Sequence, residues 1–320
     1  MLTPRPRGTL TETLFRALRA PGDDLSGLVA LRPDDDVDAQ LALWVLYELH
    51  YRGFEDVADD LEWHPDLLRL RADLERDFEQ RLRARCAHDV PEGPFAEAFF
   101  DLVVDHDGPS IAAHVQRHAT AEQVLELLRM RSIYHLKEAD PTAWVVPRLP
   151  VGPKAALMEL QYDEYGAGNP HRLHAQLFSV GLEACGLRSD PGAYLDLAPL
   201  EVLEQNNAMS LLGLHRRLRG AALGHLAAFE ATSSLPSRRM AQGLNRLGFP
   251  AELVAYYEEH VTADAVHDQL AVRQICGSLL RTEPDLVGDV FFGARVALDL
   301  EDRFAVRVLA RWDREQQVAS

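Results

Sequence analysis

The chain has 320 residues and a formal charge of −17, with 33 Lys+Arg against 50 Asp+Glu. That length suits one large domain or two modest ones. The charge excludes a nucleic-acid coat and a polybasic membrane binder, both of which need a basic face. Hydrophobic residues at 47% exclude a disordered chain, and three scattered cysteines, Cys86, Cys185 and Cys276, exclude a disulfide framework or a CxxC site.

The first twenty residues lack the apolar core of a secretory signal. No apolar run approaches the ~20 residues that span a bilayer. The expectation is a cytoplasmic protein whose 13 histidines need an account. In chain order, Leu41, Trp44, Val45 and Leu49 recur at helical spacing. Leu67, Leu70, Leu74, Phe78 and Leu82 do so behind Pro65, which suits a first helical turn. Residues 89–94 and 105–109 read as loops. Thr120 followed by Gln123 is a capping box that opens another helix. Trp144, Val145 and Val146, between prolines, are the candidate extended piece. Three long helical stretches follow, 200–229, 253–280 and 287–312, the first interrupted by Gly213, Gly220 and Gly224. No Asn-Gly or Asp-Gly hairpin joins alternating runs. The reading is all-α, with a soft boundary that separates residues 1–130 from 131–320.

Three segments carry chemistry. On a helix turning ~100° per residue, Asp264 lies ~40° to one side of His260 and His267 ~20° to the other. The three share one stripe, either half of a first-row metal site or a solvated polar face. Glu164 is followed by His171 and His174, but Gly166, Gly168 and Pro170 break the helix, so ideal angles leave the choice between the histidines open. Glu230 sits among Leu226, Ala227 and Phe229 at the end of an apolar helix. It requires a metal, a donor or a cation such as Arg238 or Arg239. His225, ~140° around from Glu230, is expected to face elsewhere. A carboxylate plus His, a carboxylate, and His/Asp/His from three helices form a set of the kind that holds two irons in a bundle core.

Residues 159–178 (ELQYDEYGAGNPHRLHAQLF), 229–240 (FEATSSLPSRRM) and 256–269 (YYEEHVTADAVHDQ) resemble the haem-oxygenase-like diiron oxidases, the "iron-containing redox enzymes", over roughly 130–285. The resemblance implies a haem-oxygenase-like bundle with an N-terminal helical extension, in which LYELHYRGF (46–54) is similar to the family's dimerisation region. It implies Glu164, His174, Glu230, His260, Asp264 and His267 as metal ligands, with His171 the alternative to His174. Glu138 matches an auxiliary carboxylate of the N-oxygenase branch. It further implies two irons, O2 as cosubstrate, an external electron donor and a homodimer. The activity implied is N-oxygenation of an amine or amino acid in a specialised biosynthetic pathway. Desaturation or C–C cleavage of an aliphatic amino acid or fatty acid is the alternative, and a metal-free helical binding protein is the alternative from another class. Tyr162, Tyr165, Asn206, Arg238 and Arg239 flank the ligand segments as candidate substrate contacts. Neither nucleic acid nor membrane is expected as a partner.

Overall fold

The computed structural model describes residues 1–20 and 25–319, and all of their side chains except those of 262–266, 316, 318 and 319. No strand occurs among the described residues. The N-terminal helices are α1 (Thr9–Arg19), α2 (Asp36–Glu48), α3 (Pro65–Arg85), α4 (Phe95–Val104), α5 (Ile111–Arg117) and α6 (Ala121–His135). The short α7 (Asp140–Ala143) leads to α8 (Val151–Glu164), α9 (His174–Ala184) and α10 (Leu200–Leu214). The chain closes with α11 (Arg219–Leu247), α12 (Ala251–Gln269), α13 (Gly277–Thr282) and α14 (Val287–Ala319). The turn Leu270–Cys276, between α12 and α13, is π-helical.

Local chemistry sets several of these ends. Pro65 opens α3, where its missing N–H has no helical partner to lose. The capping box at α6 closes both ways: the Gln123 N–H donates to Thr120 Oγ1 at 3.3 Å and the Thr120 N–H to Gln123 Oε1 at 3.0 Å. Residues 144–146 are not extended. The Val145 N–H is bonded to the Thr142 carbonyl and the Arg148 N–H to the Val145 carbonyl, so turn bonds satisfy a backbone that has no strand beside it.

Glu230 does not end its helix either. α11 runs on through Pro236 to Leu247. The Thr232 hydroxyl donates to the Ala228 carbonyl at 2.8 Å and the Ser233 hydroxyl to the Glu230 carbonyl at 3.2 Å. Pro236 cannot donate to the Thr232 carbonyl one turn back, and the helix continues past it.

α11 is the axis of the bundle, flanked by α12 and α14. Its contact with α14 is backbone to backbone. A Cβ on Gly224 would overlap the Val290 carbonyl, and one on Gly293 would overlap the Ala221 carbonyl. α2 is buried on every side, and its two fully buried carboxylates are partnered. Asp38 accepts the Leu10 and Thr11 N–H groups at the start of α1, and Glu48 accepts from Lys137 Nζ at 2.9 Å. The N-terminal helices therefore share hydrophobic cores with the later ones. Cys86 and Cys276 are buried and unpaired, and Cys185 is half-buried and unpaired. No helix among the described residues is long and apolar enough to cross a membrane.

Candidate metal centre

Glu164 is the last residue of α8 and His174 the first of α9. Between them Gly166, Ala167 and Gly168 all take left-handed φ values, 67°, 54° and 80°. A Cβ on Gly166 would press on the backbone of Arg172 and Leu173, so the reversal needs glycine there. The reversal brings His174 Nδ1 to 3.1 Å from Glu164 Oε2. His171 remains on the exposed turn, its backbone N–H on Asn169 Oδ1 at 3.0 Å.

α12 supplies two imidazoles, two turns or ~10 Å apart along the axis. His260 Nε2 lies 3.7 Å from Glu138 Oε1, and His267 Nδ1 lies 3.4 Å from Glu230 Oε2. Two groups result, Glu138/His174/His260 and Glu164/Glu230/His267, each with its ligand atoms within 4.8 Å of one another. The Glu164–His174 contact joins them. Asp264, the remaining sequence candidate, lies outside the described residues.

Each group is oriented from behind. The His260 Nδ1–H donates to the Tyr256 carbonyl at 2.9 Å, which leaves Nε2 for the site. His267 Nε2 lies 3.2 Å from Asp163 Oδ2, which leaves Nδ1 for the site. Glu138 stands in the turn after α6. Its Oε2 lies 2.8 Å from His135 Nδ1, and the Tyr256 hydroxyl donates to its Oε1 at 3.5 Å. Sequence reasoning missed His135, Tyr256 and Asp163 as supports. Spacing held the signal: His135 precedes Glu138 by three residues, Tyr256 precedes His260 by four, and Asp163 adjoins Glu164.

Burial works against charge on these imidazoles, yet the carboxylates win. Glu138 raises His260 to about 10, while Glu230 and Asp163 raise His267 to about 9. Glu164 raises His174 in the same way. Burial also opposes charge on Glu138, but His135 and His260 hold its carboxyl well below the usual carboxylate range. In the metal-free chain, protons thus offset charge that bound cations would otherwise offset.

The residues fit a metal. His174 Nδ1 and His267 Nδ1 are buried and face carboxylate oxygens, but neither makes an aligned hydrogen bond. Buried nitrogens held close to carboxylate oxygens without an aligned hydrogen bond are groups that an ion between them would satisfy. The donors are imidazole and carboxylate without sulfur, a set that suits iron in a helical bundle.

Beside the two groups lies an inner pocket of about 40 Å³, lined in part by Glu138, Glu164, Glu230 and His260. It has room for a water or a diatomic molecule. Gln161 also lines it. This side chain is 2% exposed, and neither its nitrogen nor its oxygen has a hydrogen-bond partner among the described residues. His225 faces the pocket as well, contrary to the sequence expectation. The pocket runs along a broad stripe of α11 formed by residues 222, 225, 226, 229 and 230, so positions ~140° apart both border it.

The candidate substrate contacts lie elsewhere. Tyr162 and Arg238 are exposed and Arg239 is half-buried. The Tyr165 hydroxyl donates to Asp140 Oδ1 at 2.8 Å, and buried Asn206 donates to the Val202 carbonyl at 3.0 Å. None of the five lines the inner pocket.

Fold and site together define a haem-oxygenase-like helical bundle with a carboxylate–histidine centre suited to iron. The profile of the iron-containing redox enzyme family matches residues 125–302, more than half of the chain, and the chain belongs to that family. Two crystal structures of a CADD-like protein of unknown function from Nostoc punctiforme are similar at 16% identity. The one at 2.00 Å resolution covers 74% of this chain and 97% of that one with a TM-score of 0.49. The one at 1.35 Å covers 74% and 95% with a TM-score of 0.47. No curated protein matches the chain.

Proposed function

We propose that the chain is a diiron, O2-dependent oxidoreductase that oxygenates the nitrogen of an amine or amino acid, drawing electrons from an external donor. The observation that carries this reading is the pair of three-residue groups joined through Glu164 and His174. Glu138, His174 and His260 would hold one iron, and Glu164, Glu230 and His267 the other. Glu164, beside His174, would lie between the two. Bound iron would supply the oxidising chemistry toward O2.

The chain's own residues do the rest. Tyr256 fixes the His260 tautomer, and Asp163 fixes that of His267. The inner pocket has room for little beyond a diatomic molecule beside the two groups. Glu138 inside the first group supports the N-oxygenase branch, where the resemblance places an auxiliary carboxylate. Balanced, the reaction takes an amine, O2, two electrons and two protons to a hydroxylamine and water.

The test is a product analysis. Iron-loaded protein with a reductant and ¹⁸O2 is offered amines, amino acids and fatty acids. The reading expects one ¹⁸O on nitrogen. Loss of two hydrogens from a carbon chain would instead support the desaturase alternative and overturn N-oxygenation.

A further inference from the structure

The inner pocket cannot hold a substrate, and a second cavity lies against it. This outer chamber, of about 280 Å³, approaches the range of small-molecule sites. Its wall is largely hydrocarbon, with Ile111, Leu127, Met240, Leu298 and Leu300 contributing. The two cavities share three residues: Tyr134, His225 and Phe229. The Tyr134 and Phe229 rings stand 5.5 Å apart within that partition.

His225 is a polar member of the partition without a task. It has no hydrogen-bond partner among the described residues, and burial alone lowers it to about 4, so its imidazole is neutral. A neutral imidazole offers one nitrogen as an acceptor. No lysine or arginine lines the inner pocket among the described residues. Arg131, in the outer chamber, is already paired with Glu301. No cation at the partition is therefore free to receive a carboxylate, whereas an amine N–H has a waiting acceptor.

Resting on the diiron reading above, we infer that the substrate is a primary amine with an unbranched apolar chain. The chain occupies the outer chamber, and His225 accepts an N–H at the partition, so that the nitrogen points into the iron-side pocket. The hydrocarbon wall holds the chain, and oxygenation draws on the nitrogen lone pair of the uncharged amine.

Calorimetric titration of the full chain, metal-free and anaerobically iron-loaded, with ethylamine, butylamine, hexylamine and hexanoate tests this. On the wild-type chain, amine affinity should rise roughly threefold to fourfold per added CH₂. Hexanoate should bind much more weakly than hexylamine. His225→Leu should weaken hexylamine about tenfold at unchanged iron stoichiometry. Ala112→Phe, which fills the chamber, should flatten the series. A flat series on wild-type protein, equal binding of hexanoate, or an unaffected His225→Leu variant would overturn the inference. If the series stands but no nitrogen is oxidised, the chamber assignment is supported and N-oxygenation falls. If nitrogen is oxidised while the series is flat, the chamber assignment falls alone.

Discussion

The two ligand groups use the same residue types but are built differently. Glu138/His174/His260 is enclosed. Glu138 rests on His135 and Tyr256, His260 rests on the Tyr256 carbonyl, and the Phe178 ring lies tilted with its centroid 4.9 Å from those of both Tyr256 and His135. Glu164/Glu230/His267 is buried to the same degree and differs in its support. Its outer support, Asp163, has a side chain 58% exposed, against 12% for His135 behind Glu138. Buried supports hold a ligand in one orientation, whereas an exposed one exchanges with water. The first group should thus bind iron more tightly and fill first, with Glu164 coupling the two.

The most damaging change to this comparison is Glu164→Ala. It removes a ligand of the second group and the contact to the first, so both irons and all turnover should be lost. Circular dichroism should stay helical, and retention of one tightly bound iron would show that Glu164 does not link the groups. Next, His260→Ala and Glu230→Ala should each cost about one iron per chain, read by metal analysis after anaerobic loading. Loss from the first group should leave only weak binding, and loss from the second should leave the tight phase intact.

The supports come third. Tyr256→Phe should lower iron affinity toward the upper end of the roughly 10–100-fold range, and Asp163→Asn toward its lower end. Equal effects would erase the distinction between enclosed and exposed supports.

The smallest effect is on pH. His260 titrates near about 10 in the folded metal-free chain, above the ~6.5 of an unfolded histidine. A raised folded value stabilises fully below pH ~6.5 and is lost as pH climbs toward about 10. The melting temperature of the metal-free chain should therefore fall across that window, and that of the iron-loaded chain should fall less.

The all-α architecture and the ligand-bearing segments were legible because periodicity and spacing are local. The choice of His174 over His171 was not. It depends on three successive left-handed residues, including Ala167, which as a non-glycine residue gives no signal of positive φ. Glu230 was misplaced at a helix end, whereas α11 continues through Pro236 to Leu247. His225 was dismissed on angle alone, since a sequence does not show how wide a stripe of helix a cavity will border. Tyr256 and His135 matter through contacts across α6 and α12, which no single segment displays.

The central claim is that one chain binds two irons in unequal but linked positions. Anaerobic titration with ⁵⁷Fe²⁺ followed by Mössbauer spectroscopy tests it most directly. The account predicts saturation near about two irons per chain, in two distinct environments that fill in sequence and disappear together in Glu164→Ala. Saturation at one iron or fewer, or a single environment indifferent to Glu164, would contradict it.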